Sequence, residues 1–208
     1  DGALIKTDPG AAVTLGSMTQ VTVKGSVIAH GGSITLTADT AKGGYAQVPG
    51  LIVNGNAYTS DNKSVWLGAD SLLDVSGTTL LDPLASPLVG APVKTGKVLA
   101  GGTVTLSNDT GYVIALDCRD SGACAANSSG SQVKAATINV SGAKAVLDLP
   151  SADNGYQSQS VASDAGTIRI GAAKGLFFHG KLLAHGGDAS TEGGTLAITP
   201  EIGRLSTP

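Results

Sequence analysis

The sequence predicts an all-β solenoid, a parallel β-helix of about seven coils with loops projecting from its sides. Three observations predict it: a short apolar-alternating unit that recurs along the chain, glycines that recur where each unit bends, and a core-forming composition almost free of aromatics. Of 208 residues, 30 are glycine, 41% are hydrophobic, 3% aromatic and 14% charged. The glycine share is roughly twice the usual ~7%. That much Val, Ile, Leu and Ala is too apolar for a disordered segment, and it must pack a core from small aliphatic side chains. The length suits one domain, taken as residues 1–208.

The repeat fixes the elements in order. VTLGSMTQVTVKG (Val13 to Gly25), VWLGADSLLDVSG (Val65 to Gly77) and IRIGAAKGLFFHG (Ile168 to Gly180) align without gaps. VTLSNDTGYVIAL (Val104 to Leu116) replaces both repeat glycines but keeps the alternation, and INVSGAKAVLDL (Ile138 to Leu149) fits with one extra residue at its bend. A second module follows: GSVIAHGGSITL from Gly25, GKVLAGGTVTL from Gly96, and GKLLAHGG from Gly180 leading to GGTLAI at Gly193. Each strand alternates with period 2, so one face is buried and the other faces water. The first-strand positions Val13, Ile34, Val65, Val104, Ile138, Ile168 and Leu196 recur at intervals of 21 to 39 residues. A single coil cannot bury its apolar positions, whereas stacked coils bury them against one another. Glycines at the corners are expected to supply positive φ and room that a Cβ would fill. At about 4.8 Å per strand, seven coils would make a rod of roughly 35 Å.

The repeat length varies because of additions at Thr40 to Lys63, Thr78 to Thr95, Asp117 to Lys134 and Pro150 to Ser163. Insertions at solenoid bends project sideways, where recognition commonly resides. Trp66, between Val65 and Leu67, is expected to face outward, to stack on a sugar or to cover the neighbouring coil. Together with Arg119 and Asp120 in the third addition, it forms the candidate recognition set.

Net charge is −3 and the 13 basic residues are scattered, only three of them arginine. Nucleic acid requires a continuous basic footprint, which excludes it as a partner. No run of about 18 apolar residues could cross a bilayer as a helix, and the first residues lack the pattern of a signal peptide. Cys118 and Cys124 lie six positions apart in a Gly/Ser/Asp stretch, a spacing that permits a local disulfide in an oxidising compartment. Zinc would need more ligands than this stretch supplies, and no metal or other cofactor is expected.

Strings such as LGADSLLDVSG, KVLAGGTVTLSNDTGYVIA, ATINVSGAKAVLDL, VASDAGTIRIGAAKGLFFHGKLLAHGG and EGGTLAI resemble the repeat region of filamentous haemagglutinin-like exoproteins, which are exported by two-partner secretion. The resemblance covers nearly the whole chain. It implies a right-handed parallel β-helix, an outer-membrane transporter as export partner, and a place at the cell surface of a Gram-negative bacterium or secreted from it. It further implies a role in adhesion, aggregation or a biofilm matrix, with host or bacterial glycans, matrix polysaccharide or further copies as partners. The asparagine-proline secretion motifs of that family's amino-terminal domain are absent, so an interior section is expected.

No catalytic constellation survives inspection, and an enzyme is not expected. Ser60-Asp61-Asn62, Lys94-Thr95-Gly96 and Ser141-Gly142-Ala143-Lys144 match penicillin-binding motifs only in permuted order. Gly90 to Lys97 is one residue too long for a phosphate loop. His30 and His185 share Ala-His-Gly-Gly, but as equivalents five coils apart they would be more than about 20 Å distant. His179 is expected to face outward beside Phe178. Asp74 and Asp148 are expected at equivalent positions of different coils, facing solvent. The Thr-x-Thr pairs at Thr35 and Thr103 do not recur in every coil, which argues against a regular hydroxyl lattice. The competing classes are a carbohydrate-active β-helix enzyme, lyase or hydrolase, and a purely structural extracellular filament unit.

Overall fold

A computed structural model of the chain describes residues 2–38, 52–53, 56–57, 64–82, 93–109, 111–117, 135–153 and 155–200. Among them the secondary structure is all β, with no helix. Three parallel sheets of stacked strands form the framework. Sheet A contains β1 (Leu4–Lys6), β4 (Ser26–Ile28), β9 (Leu72–Asp74), β14 (Thr137–Asn139) and β19 (Lys181–Leu183). Sheet B contains β2 (Ala12–Ser17), β5 (Ser33–Ala38), β12 (Thr103–Asn108), β17 (Thr167–Ala172) and β20 (Thr195–Pro200). Sheet C contains β3 (Gln20–Val23), β8 (Ser64–Leu67), β13 (Tyr112–Ala115) and β18 (Gly175–Phe178). Read along the chain, the framework strands visit A, B and C in unchanging cyclic order.

Alternation dictates which side chains meet. Val27, Leu73 and Ile138 from sheet A, Ile34, Leu36, Val104, Leu106, Ile168 and Ile170 from sheet B, and Val65, Leu67, Val113 and Ala115 from sheet C form one buried cluster. In-register stacking carries each column through the layers: Leu15, Leu36, Leu106, Ile170 and Ile198 are consecutive partners. Burying one such Leu or Ile contributes about 1.5–3 kcal/mol. Asn108 occupies an inward position at 2% exposure and is satisfied by donating its Nδ2 to the Tyr112 carbonyl at 3.0 Å.

Among the described residues the stacks are five, five and four strands deep, against the seven repeats counted in the sequence. Val13, Ile34, Val104, Ile168 and Leu196 do share one column of sheet B. Val65 instead belongs to sheet C and Ile138 to sheet A. All three sheets use the same apolar-x-apolar strand, so aligning segments to one another cannot tell one side of the framework from the next.

Among the described residues three antiparallel strand pairs interrupt the cycle: β6 (Ile52–Val53) with β7 (Asn56–Ala57), β10 (Thr78–Leu81) with β11 (Gly96–Leu99), and β15 (Lys144–Pro150) with β16 (Tyr156–Ala162). The last two correct the boundaries of the additions. β11, expected as a framework strand from GKVL, is half of a hairpin, and the addition expected from Pro150 begins at Lys144. Both hairpins leave the chain between sheets A and B on successive passes, and they touch. The Asp148 amide donates to the Lys94 carbonyl at 2.9 Å, and the Lys94 amide donates to Asp148 Oδ2 at 2.7 Å.

Asp148 is therefore a hairpin residue and not the equivalent of Asp74, whose register partners are Ile28 and Asn139. Its carboxylate accepts from the Ser158 hydroxyl and the Lys94 amide, which together hold its pKa below the ordinary value of 3.8. A depressed folded pKa stabilises the contact above the unfolded value, and that contribution is lost as pH falls through the lowered one. Asp148→Asn is expected to speed hydrogen exchange of the Lys94 amide at neutral pH while leaving sheet B amides protected; the same acceleration in both regions would refute a local clasp.

Candidate functional site

The outer face of sheet C gathers most of the described aromatics. Val21 and Val23, Val65 and Leu67, and Val113 and Ala115 turn inward and are buried, while Leu176 and Phe178 pack against the same core. Their neighbours must therefore point out. Register places Thr22, Trp66, Ile114 and Phe177 in one row across four strands, and Gln20, Ser64, Tyr112 and Gly175 in the row beside it. Strands at about 4.8 Å spacing make this a continuous stripe along the stacking direction.

Several contacts order the stripe. The Tyr112 and Phe177 rings lie 5.8 Å apart between centroids at 46°, a tilted aromatic pair. Tyr112 lies across Gly175, where an added Cβ would meet ring carbons at 3.5 and 3.6 Å. Lys24 Nζ stands 5.5 Å from the centre of the Trp66 ring, within cation–π range. The lysine stem crosses Gly68, with Cγ 3.3 Å from where a Cβ would be. Phe177 remains 57% exposed. Gln20 and Thr22 border the stripe, tied by a hydrogen bond from Gln20 Nε2 to Thr22 Oγ1 of 2.7 Å. Chemically this is an apolar, π-faced strip with hydroxyl and amide groups at its side and one cation over its tryptophan.

Trp66 thus points outward as the alternation requires, half-buried with Lys24 over its ring. Tyr112 and Phe177 were not singled out from sequence. Aligning VWLG with VTLG and IRIG sets Trp66 against Thr14 and Arg169, which belong to sheet B. Phe177 carries a usable signal, since it lies between the inward Leu176 and Phe178. Cys118, Cys124, Arg119 and Asp120 lie outside the described residues.

The remaining candidates are spread over the framework and its bends. His30 and His185 follow β4 and β19, three strand steps apart and not five coils, a separation of about 14 Å that still precludes a shared ion. His30 Nδ1 is 3.2 Å from the Ser76 hydroxyl and 3.9 Å from Asp74 Oδ1. His179 is exposed beside Phe178, as expected. The Thr pairs are more ordered than the sequence suggests: Ser33, Thr35 and Thr37 lie in register with Thr103, Thr105 and Ser107. Arg169 and Gly171 end that grid on the next strand. Asp188 lies 3.3 Å from Lys144 and accepts from Ser190, which lowers its pKa, Ser190 contributing most.

Compared with family models, curated proteins and solved structures, the chain finds no match.

Proposed function

We propose that the three sheets close into a right-handed parallel β-helix, and that this helix is a scaffold section of an exported bacterial adhesin or biofilm-matrix protein. The cyclic order of the sheets and their single shared core support the β-helix. Parallel crossover connections are right-handed in about 98% of cases, which favours that hand. The resemblance to filamentous haemagglutinin-like exoproteins supports export through an outer-membrane transporter to the surface of a Gram-negative bacterium. In this reading the protein performs no catalysis.

The observation that carries the adhesive role is the in-register row Trp66, Ile114 and Phe177, flanked by Tyr112, on a face turned to solvent. In a chain with 3% aromatics, placing three of them on one outer face, Phe177 exposed and Trp66 and Tyr112 half-buried, forgoes burial that the core would have used. Pyranose rings present C–H faces that stack on aromatics and hydroxyls that hydrogen-bond to side chains like those of Gln20, Ser64 and Thr22. A surface glycan or matrix polysaccharide laid along the stacking direction would meet both.

The test is a binding screen of the chain against surface glycans and purified polysaccharides, alongside Trp66→Ala combined with Phe177→Ala. Affinity is expected to fall at least tenfold, about 1.4 kcal/mol, with the β circular dichroism unchanged. A third variant shortens 40–63 and 117–134 to Gly-Ser turns. Binding lost there and kept in the aromatic variant would move recognition from sheet C to those segments, and no binding by any version would leave a spacer rod.

A further inference from the structure

Among the described residues, the β15–β16 hairpin leaves one strand edge open to the side of the framework. β16 pairs with β15 over seven residues, from Tyr156 opposite Pro150 to Ala162 opposite Lys144. Among the described residues, no backbone hydrogen bond reaches Tyr156 to Ala162 from any other strand. Tyr156 through Ser160 are exposed. The strand reads YQSQSVA and contains no charge, proline or glycine. Folded proteins usually blunt such an edge with lysine, proline or a bulge, because its free N–H and C=O groups template another strand. The edge is also held in place. Asp148 accepts from Ser158 and from the Lys94 amide of the first hairpin, and Lys144 at the hairpin base pairs with Asp188 at 3.3 Å. A preformed edge loses little further freedom on pairing.

We propose that β16 is a lateral self-association edge, pairing antiparallel with β16 of a second copy of this chain about a two-fold axis at Gln159. The strand's own sequence argues for that occupant. A two-fold at Gln159 sets Ser158 against Ser160, Gln157 against Val161 and Tyr156 against Ala162. No charge opposes a like charge, and the Ser160 hydroxyl can donate to the Ser158 oxygen, whose own proton goes to Asp148. The contact is isologous and therefore closes at two copies. It lies on the side of the stack, independent of the sheet C stripe, so a paired molecule keeps its aromatic face. Val146 and Tyr156, 60% and 55% exposed, add apolar surface beside the edge. One strand pair falls well short of the ~800 Å² per partner of a standard interface. The dimer should therefore be weak alone and effective where copies are crowded on a surface, since tethering raises the local concentration.

Sedimentation equilibrium over a concentration series tests this with the intact chain. The native protein is expected to show a reversible monomer–dimer equilibrium. Gln157→Lys combined with Gln159→Lys, both on exposed positions, is expected to leave it monomeric with unchanged circular dichroism. Ile198→Lys, which charges the exposed apolar residue of β20, is expected to dimerise like the native chain. For a second readout, Gln159→Cys in a Cys118→Ser, Cys124→Ser background is expected to form disulfide-linked dimers on mild oxidation, because directly opposed Cα atoms of an antiparallel pair lie about 4.5–5.5 Å apart, inside the disulfide range. Thr14→Cys in the same background is expected to form none. A monomeric native chain, dimers that survive the lysine pair, dimers lost in Ile198→Lys, or no Gln159→Cys crosslink would each overturn the proposal.

Discussion

Gly102→Val is expected to lower stability by about 4 kcal/mol or more, a range that overpacking against fixed backbone reaches. Gly102 opens β12, and a Cβ built on it would stand 1.9 Å from the Gly32 carbonyl oxygen. The same approach repeats along a column: Gly32 against the Ala11 oxygen at 1.9 Å and Gly166 against the Gly102 oxygen at 1.8 Å. Those oxygens are the acceptors that knit one layer to the next. Thr103 N donates to Gly32 O at 3.0 Å, and Thr167 N to Gly102 O at 2.9 Å. A side chain at 102 therefore displaces backbone, which cannot swing aside, and it pulls Val104 and Leu106 out of register. A single domain is stable by only about 5–15 kcal/mol, so the urea midpoint should collapse. Gly16→Ala, where a Cβ meets nothing within 4 Å, is expected to change stability by less than about 1 kcal/mol. Equal midpoints for the two variants would show that the glycine column is dispensable.

That column also shows what was legible in the sequence and why. Glycine was expected at the corners for two reasons, positive φ and lack of room. At Gly32, Gly102 and Gly166 only the second applies, because none has positive φ. Strand identity was readable from alternation alone: Ile34 and Leu36, Val104 and Leu106, and Ile168 and Ile170 are all buried as their period requires. Which sheet a strand joins was not readable, because partners lie tens of residues away and the three sheets share one local pattern. KAVLDL illustrates the same limit. Its alternation reflects a half-buried hairpin, with Leu147 buried and Val146 exposed, and looks the same as that of a framework strand.

The candidate site suffered more from this than the fold did. Outward placement of Trp66 follows from two neighbours, Val65 and Leu67. The row it forms with Ile114 and Phe177 requires the register of three strands spread over more than a hundred residues. Asp148 fails for a related reason, since its tie to Lys94 joins two separate additions that nothing in sequence marks as neighbours.

Leu106→Ala is expected to cost about 3 kcal/mol, in the range measured for buried leucines, whereas Ile198→Ala is expected to cost about 1 kcal/mol. Both residues belong to one column of sheet B, two strands apart, with Ile170 between them. Propensity would rank the two changes alike, because each removes a branched aliphatic side chain from a strand. Their surroundings differ. Leu106 is fully buried, enclosed by Leu36 and Ile170 in its own sheet and by the core residues of the other two. Truncation there loses transfer free energy and leaves a cavity that the stacked layers cannot close. Ile198 is already 49% exposed, so half its surface has no burial to lose and water fills the space left behind. Urea midpoints at equal slopes measure the difference. A ratio near three would assign stability to the depth of the stack, and near-equal losses would assign it to strand propensity within each layer.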